Sequence, residues 1–201
     1  MISADEFLST MHEPLLPHSQ TQAQQRVELQ SVQQSSDKHL FEERTSDEQQ
    51  RFELCKEAAL RSLDAAPRSS SDLAKRLIRK DFEENLVEDV IHRLQELGLL
   101  NDEEYAHSLL RYCLQRDMGA RGVSMEMSRK GVDADLAAEL IEQASQNGNF
   151  VESAYALGRT VERRTHGMER KVQMRRLWSA GARKGHSPDM LRQVFADVFC
   201  D

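Results

Sequence analysis

Aromatic residues are scarce in this chain of 201 residues, at 5%. A core without large rings has to be built from Leu, Ile, Val, Ala and Met, which suits small packed helices better than one thick β-sandwich. Cysteine is scarce as well. Cys55, Cys113 and Cys200 are odd in number, far apart and form no CxxC pair, which speaks against a disulfide framework or a zinc knuckle and for a reducing cytoplasm. No apolar run approaches the roughly 18 residues of a membrane span, and the opening Met1-Ile2-Ser3-Ala4-Asp5-Glu6 has neither the basic nor the apolar region of a signal peptide. The expectation is a cytoplasmic protein without membrane contact.

Catalytic patterns are missing too. There is no GxGxxG and no GxxxxGK[ST] to cradle a phosphate, and His12, His18, His39, His92, His107, His166 and His186 show neither HxxxH nor HExxH spacing. The acidic run Asp102-Glu103-Glu104 has the composition of a metal site, but three acids at a helix start are accounted for by the positive end of the helix dipole. Cys113 shares a helix face with Leu109 and Leu110 and reads as core. The chain is therefore read as a non-enzyme, with no cofactor and no metal.

What is present is charge, unevenly placed. The net charge is −7, yet residues 1–50 hold nine acids against three bases and carry almost all of it. Gln and Ser dominate from Ser19 to Ser36, and Pro14 and Pro17 interrupt the one early apolar cluster. Such a composition buries too little apolar surface to offset the entropy of ordering, so residues 1–48 are expected to be a disordered polar tail.

Beyond the tail the pattern is helical and repeats. Val87, Val90, Ile91, Leu94 and Leu97 follow amphipathic-helix spacing, Gly98 closes that helix, and Asn101 with Glu104 forms a capping-box pattern for the next. Ser187 followed by Pro188 is a further helix start. Aligning Phe82, Val132 and His186 brings Leu73, Val123 and Leu177 into register nine residues earlier, and sets Leu77, Met127 and Ala182 together about five earlier. One residue after each anchor stand the candidate caps Glu83, Asp133 and Ser187; five after stand Val87, Ala137 and Leu191; twelve after stand Leu94, Ala144 and Val198. Helical stretches around Ala58–Leu63, Ala106–Leu114 and Ala154–Val161 precede them. The sequence thus predicts an all-α fold: three tandem three-helix repeats over 49–98, 99–147 and 148–201, stacked into an elongated, curved array. Such an array is expected to act as a monomer along an extended partner rather than to enclose a small substrate.

Charge then separates along the repeats. From Asp81 to Glu104 there are nine acids and one base, Arg93; from Arg159 to Lys184 there are nine bases opposed only by Glu162 and Glu169. Solvated helix faces normally mix signs, so this block reads as a binding surface for phosphates or an acidic protein. The candidate contact residues are Arg163, Arg164, Arg170, Lys171, Arg175, Arg176, Arg183 and Lys184, with the smaller clusters Arg79-Lys80 and Arg129-Lys130. Trp178, within the block, reads as core or as a stacking platform for a base.

Two stretches carry a family resemblance: Gly98-Leu99-Leu100-Asn101-Asp102-Glu103-Glu104-Tyr105-Ala106, and the segment Gly119 to Val132 with its closing Lys130-Gly131-Val132. Both resemble hallmark segments of RecX regulatory proteins, over roughly Leu54 to Phe199. Gly122 departs by standing where the family has a larger residue; a glycine inside a helix costs about 1 kcal/mol relative to Ala, so that helix is expected to fray at its start. Met127 replaces a leucine, and the third repeat is irregular around Gly181 and Gly185. Gly98 and Gly131 are read as helix stops, Asn101 and Asp102 as caps, and Tyr105 as packing between repeats. The resemblance implies a partner, the RecA recombinase, bound in the groove or at the end of its filament on single-stranded DNA, with inhibition of its ATPase, recombinase and coprotease activities in DNA repair and the SOS response. The alternatives are a helical-repeat nucleic-acid binder acting without RecA, and an adaptor for an unrelated protein.

Overall fold

The computed structural model describes residues 46–199. Among the described residues there are nine helices and no strand. Helix α1 covers 46–65; α2 (Ser70–Ile78) and α3 (Glu84–Glu96) complete the first repeat; α4 (Asp102–Gln115), α5 (Ala120–Arg129) and α6 (Ala134–Gln146) make the second; α7 (Asn149–Thr165), α8 (Arg170–Lys184) and α9 (Pro188–Val198) make the third. The expected tail lies outside the described residues up to 45, and helix already covers 46–48. Cys200 also lies outside them. Residues 52–199 belong to one compact unit that contains all three cores.

Each repeat buries its own apolar cluster. Leu73, Leu77, Val87, Val90 and Leu94 close the first around Cys55 and Ala59 of α1. Val123, Met127 and Leu140 close the second around Ala106, Leu109 and Cys113, and Leu177, Leu191, Val194 and Phe195 the third around Ala154 and Leu157. Fully burying a Leu or Val contributes about 1.5–3 kcal/mol, so a handful of such side chains accounts for each bundle. Burial keeps both described thiols inert: it pushes Cys55 up to about 11 and, with help from Glu126, raises Cys113 as well.

Local chemistry sets the helix starts. Asp133 Oδ1 accepts from Asp135 N and Leu136 N, and Ser187 Oγ accepts from Met190 N beside Pro188. Glu83, the third candidate, makes no side-chain cap bond. Asn101 Oδ1 caps α4 through Glu104 N at 3.0 Å. Asp102, read as a second cap, has another role: it accepts from Ser70 N at 2.7 Å and from the Ser70 hydroxyl, tying the start of α4 to the start of α2. The register also needs one correction. The buried counterpart of Leu77 and Met127 is Gly181, not the exposed Ala182; Leu191 of α9 lies so close to Gly181 that a Cβ there would meet its side chain at 2.5 Å.

The repeats join by one operation used twice. In register terms Ser69 and Gly119 are equivalent N-caps of a middle helix, and Lys130 and Lys184 are equivalent residues at the end of the next middle helix. Ser69 Oγ donates to Lys130 O at 2.7 Å; Gly119 N donates to Lys184 O at 2.9 Å. The start of α2 thus abuts the end of α5, and the start of α5 abuts the end of α8, positive dipole end on negative. The following residues, Gly131 and Gly185, have φ +72° and +80°. A Cβ on Gly131 would come within 3.0 Å of Ser69 Oγ, and one on Gly185 within 2.1 Å of Gly122 N. Their counterpart in the first repeat is Asp81, with φ 65° but exposed: among the described residues no helix start packs on it.

Gly122 is explained by the same contact. α5 is helical from Ala120, contrary to the expected fraying, and Gly122 is buried with Lys184 O 2.2 Å from where its Cβ would stand. Close approach of two backbones outweighs helix propensity at this position. Around it, Lys184 Nζ donates to Arg116 O and lies 3.5 Å from the Asp117 carboxylate, Ser153 Oγ donates to Met118 O at 3.0 Å, and buried His186 donates from Nε2 to Asp117 O at 2.9 Å.

Candidate anion-binding interface on the third repeat

The basic block folds into the antiparallel pair α7 and α8. Ala154, Leu157, Gly158 and Val161 hold α7 against the core, which turns Arg159, Arg163 and Arg164 outward. In α8 the buried positions are Gln173, Leu177 and Gly181. Gln173 Nε2 donates to Thr165 O at 3.1 Å, which satisfies the final carbonyl of α7 and ties the two helices side by side, and Thr165 Oγ1 donates back to Val161 O.

Between them runs an open groove of about 460 Å³ lined by Arg164, Arg175, Arg176, Ser179 and Arg183, with Val161, Thr165 and Ala180 as its floor. Arg175, Ser179 and Arg183 are spaced four apart and line one edge of α8; Arg183 donates to Ser179 Oγ at 2.7 Å. No carboxylate lines the groove. Four exposed guanidiniums facing one trough, each a planar set of donors, are the arrangement that binds phosphate or carboxylate oxygens.

The other expected contact residues go elsewhere. Arg163 is exposed on α7 but outside the groove. Arg170 folds back: its Nη1 donates to Phe199 O at 2.7 Å and its guanidinium lies 4.8 Å from the Phe195 ring centroid, so it helps close the third core. Lys184 belongs to the joint. Lys171 faces a second, apolar hollow with Val172, Met174 and Trp178. Arg79 and Lys80 are exposed at the end of α2, in the first repeat. Arg129 pairs with Glu126, whose carboxyl that bond holds below the usual carboxylate range, and Lys130 is half-buried over the first joint. The structure therefore brings together Arg164, Arg175, Arg176 and Arg183 and disperses the rest. Ser179 was missed; its spacing from Arg175 and Arg183 was the available signal. Trp178 is half-buried, its ring centroid 6.3 Å from that of Phe195 in a T-shaped pair. Tyr105 is half-buried against the second core, beside Leu63, Pro67 and Arg68 of the first repeat, as read.

Among the described residues no group of His, Cys, Asp and Glu could hold a metal ion, and no helix is long and apolar enough to cross a membrane. Residues 55–94 match the family description "RecX, first three-helix domain" and residues 101–144 "RecX, second three-helix domain". A regulatory protein RecX of Streptomyces coelicolor is 32% identical over 143 residues, covering 71% of this chain and 76% of that relative. One of Trichlorobacter lovleyi is 30% identical over 147 residues, covering 70% and 93%. The crystal structure of RecX from Lactobacillus salivarius superposes with a TM-score of 0.64 at 22% identity, over 75% of this chain and 97% of that one, and so shares the fold. The sequence relatives, with the two matched helical domains, establish that this chain belongs to the RecX family of regulatory proteins.

Proposed function

We propose that this protein binds the RecA recombinase, in the groove or at the end of its filament on single-stranded DNA, and restrains ATP hydrolysis, strand exchange and coprotease activity. Its partners on this reading are RecA and, through the arginine groove, the phosphates of single-stranded DNA held by the filament. A regulator of this kind needs no bond-making site: binding one filament conformation better than another shifts the population by that difference in affinity. The observation that supports the reading is the trough of Arg164, Arg175, Arg176 and Arg183 with no acid in its lining. It is open and lined by cations, as a surface that tracks a phosphate backbone must be.

The test is to titrate the protein into RecA, single-stranded DNA and ATP and follow hydrolysis at several salt concentrations. The intact protein inhibits below one molecule per RecA protomer. Reversing Arg164, Arg176 and Arg183 to Glu weakens inhibition and flattens its salt dependence, by about 0.7 in the log–log slope for each lost contact to a single strand. Arg170 is left out of the set because its reversal would open the third core. Inhibition and salt slope identical to those of the intact protein would remove the groove from the interface. Tight oligonucleotide binding without any effect on hydrolysis would favour a nucleic-acid binder acting without RecA.

A further inference from the structure

The first two repeats each present the same surface to the next: the N-cap and opening turn of the middle helix, covered by the end of the following middle helix. Counting back from His186 as from Phe82 and Val132, the equivalents of Ser70-Ser71-Asp72 and Ala120-Arg121-Gly122 are Met174-Arg175-Arg176. Here no helix end covers the surface among the described residues, and it differs in three ways. Helix α8 does not begin at this point; it extends another turn, so that it has 15 residues against 9 in α2 and 10 in α5. That extra turn supplies Lys171. The position held by Ala74 and Ser124 becomes Trp178, four residues on from Met174 and on the same side of the helix. Together Glu169, Lys171, Val172, Met174, Arg175 and Trp178 line a hollow of about 560 Å³, in which Met174 is 42% exposed and Glu169 is the one acid of the lining.

We propose that this face docks a protein partner through the C-terminal end of an acidic helix, one apolar side chain entering between Met174 and Trp178 and the carboxylates meeting Lys171, Arg175 and Arg176. Three observations converge on that occupant. The equivalent face is filled by a helix C-terminus at both joints within the chain. A helix C-terminus carries negative dipole charge, and against its two counterparts this face has gained Lys171 and Arg176, set against one acid, Glu169. The lining is a polarizable thioether and an indole, suited to an adaptable apolar contact, whereas the phosphate-binding trough on the other side of Arg175 is floored by small residues. A second copy of this chain does not fit. The helix end it would offer, that of α2, carries Arg79 and Lys80 and bears the Asp81 side chain where Gly131 and Gly185 have none. Lys171, Met174 and Trp178 lie outside the arginine groove whereas Arg175 and Arg176 line it, so the docking face is read separately from the RecA reading through Lys171 and Met174.

Trp178 is the chain's only tryptophan, so its emission reports the hollow directly. The probe is an N-acetylated peptide of Ala, Glu and Leu with a leucine in its last turn and a free carboxylate, about 20 residues long so that it is helical alone. Added to the full-length protein, it shifts Trp178 emission to the blue with saturation. Met174→Glu and Lys171→Glu, both exposed and expected to retain full helicity, each weaken that binding; for Met174→Glu the loss is about tenfold or more, the worth of one buried apolar side chain. Arg183→Glu weakens oligothymidylate binding and leaves the peptide curve in place. The proposal is overturned if the peptide gives no saturable shift, if Met174→Glu binds it as the intact protein does, or if oligothymidylate itself shifts Trp178 and displaces the peptide. Failure of the groove reading would show instead in the RecA hydrolysis assay, with the peptide curve intact.

Discussion

The two joints solve one problem with different chemistry. Between the first and second repeats the donor to the helix-end carbonyl is a hydroxyl, Ser69 Oγ, and the clip is a half-buried carboxylate, Asp102, on Ser70. Between the second and third the donor is a backbone amide, Gly119 N, and two backbones touch at Gly122, Lys184 and Gly185. Side-chain rotors can turn to absorb a change of fit, whereas peptide planes cannot. The second joint should therefore be the rigid one and the first the forgiving one, although both occupy the same register of the repeat.

The sharpest way to break that contrast is a methyl group at each joint. Gly122→Ala puts a Cβ against Lys184 O and is expected to cost about 3 kcal/mol, lowering the melting temperature by roughly 6–12 °C in calorimetry. Gly131→Ala meets the Ser69 and Ser71 hydroxyls, which can turn, and Ser71 Cβ at 3.2 Å, and bears mainly the strain of a positive φ, about 1–2 kcal/mol. Equal losses for the two would mean the joints do not differ in stiffness. Asp102→Ala strips the first joint of its clip and leaves Ser70 N without that partner, a loss of about 1–2 kcal/mol read from the denaturant midpoint.

Mild acid tests the second joint. Burial lowers the His186 pKa below 6.5, against the bond to Asp117 O, which favours the charged form. The folded state thus binds fewer protons than the unfolded chain, so stability is complete above about 6.5 and falls as pH drops toward the lower folded value. His186→Gln should flatten the melting temperature between pH 7.5 and 5.5, while the carboxylates that folding holds low, Asp72, Glu96 and Glu126, make their losses at lower pH. The smallest effect is expected at Asp81, where the described residues form no joint: Asp81→Gly changes stability by less than about 0.5 kcal/mol, since the residue is exposed and release of backbone strain is offset by a freer unfolded chain.

The repeat was legible because its signals are local. Leu73, Val123 and Leu177 announce themselves by spacing to Val87, Ala137 and Leu191, and Ser187-Pro188 announces a helix by its own chemistry. Gly122 and Asp102 were misread because their reasons lie in residues 62 and 32 positions away, at Lys184 and Ser70. Propensity makes Gly122 a defect and Asp102 a cap; only the approach of another repeat reverses both. The candidate groove was half legible. Charge density located the block, but α7 and α8 had to be laid side by side before Arg170 was seen to fold onto Phe195 and Arg175, Arg176 and Arg183 to face Arg164.

One bond offers a view of motion that no melting curve gives. An N-cap amide ordinarily faces solvent and trades its proton for deuterium within moments; that of Gly119 is buried and held by Lys184 of the next repeat. Its exchange rate therefore clocks the parting of the last two bundles, separately from the unravelling of either. A RecX-family chain seated on its target should slow that one amide if docking needs the pair closed, and hasten it if the pair must flex open.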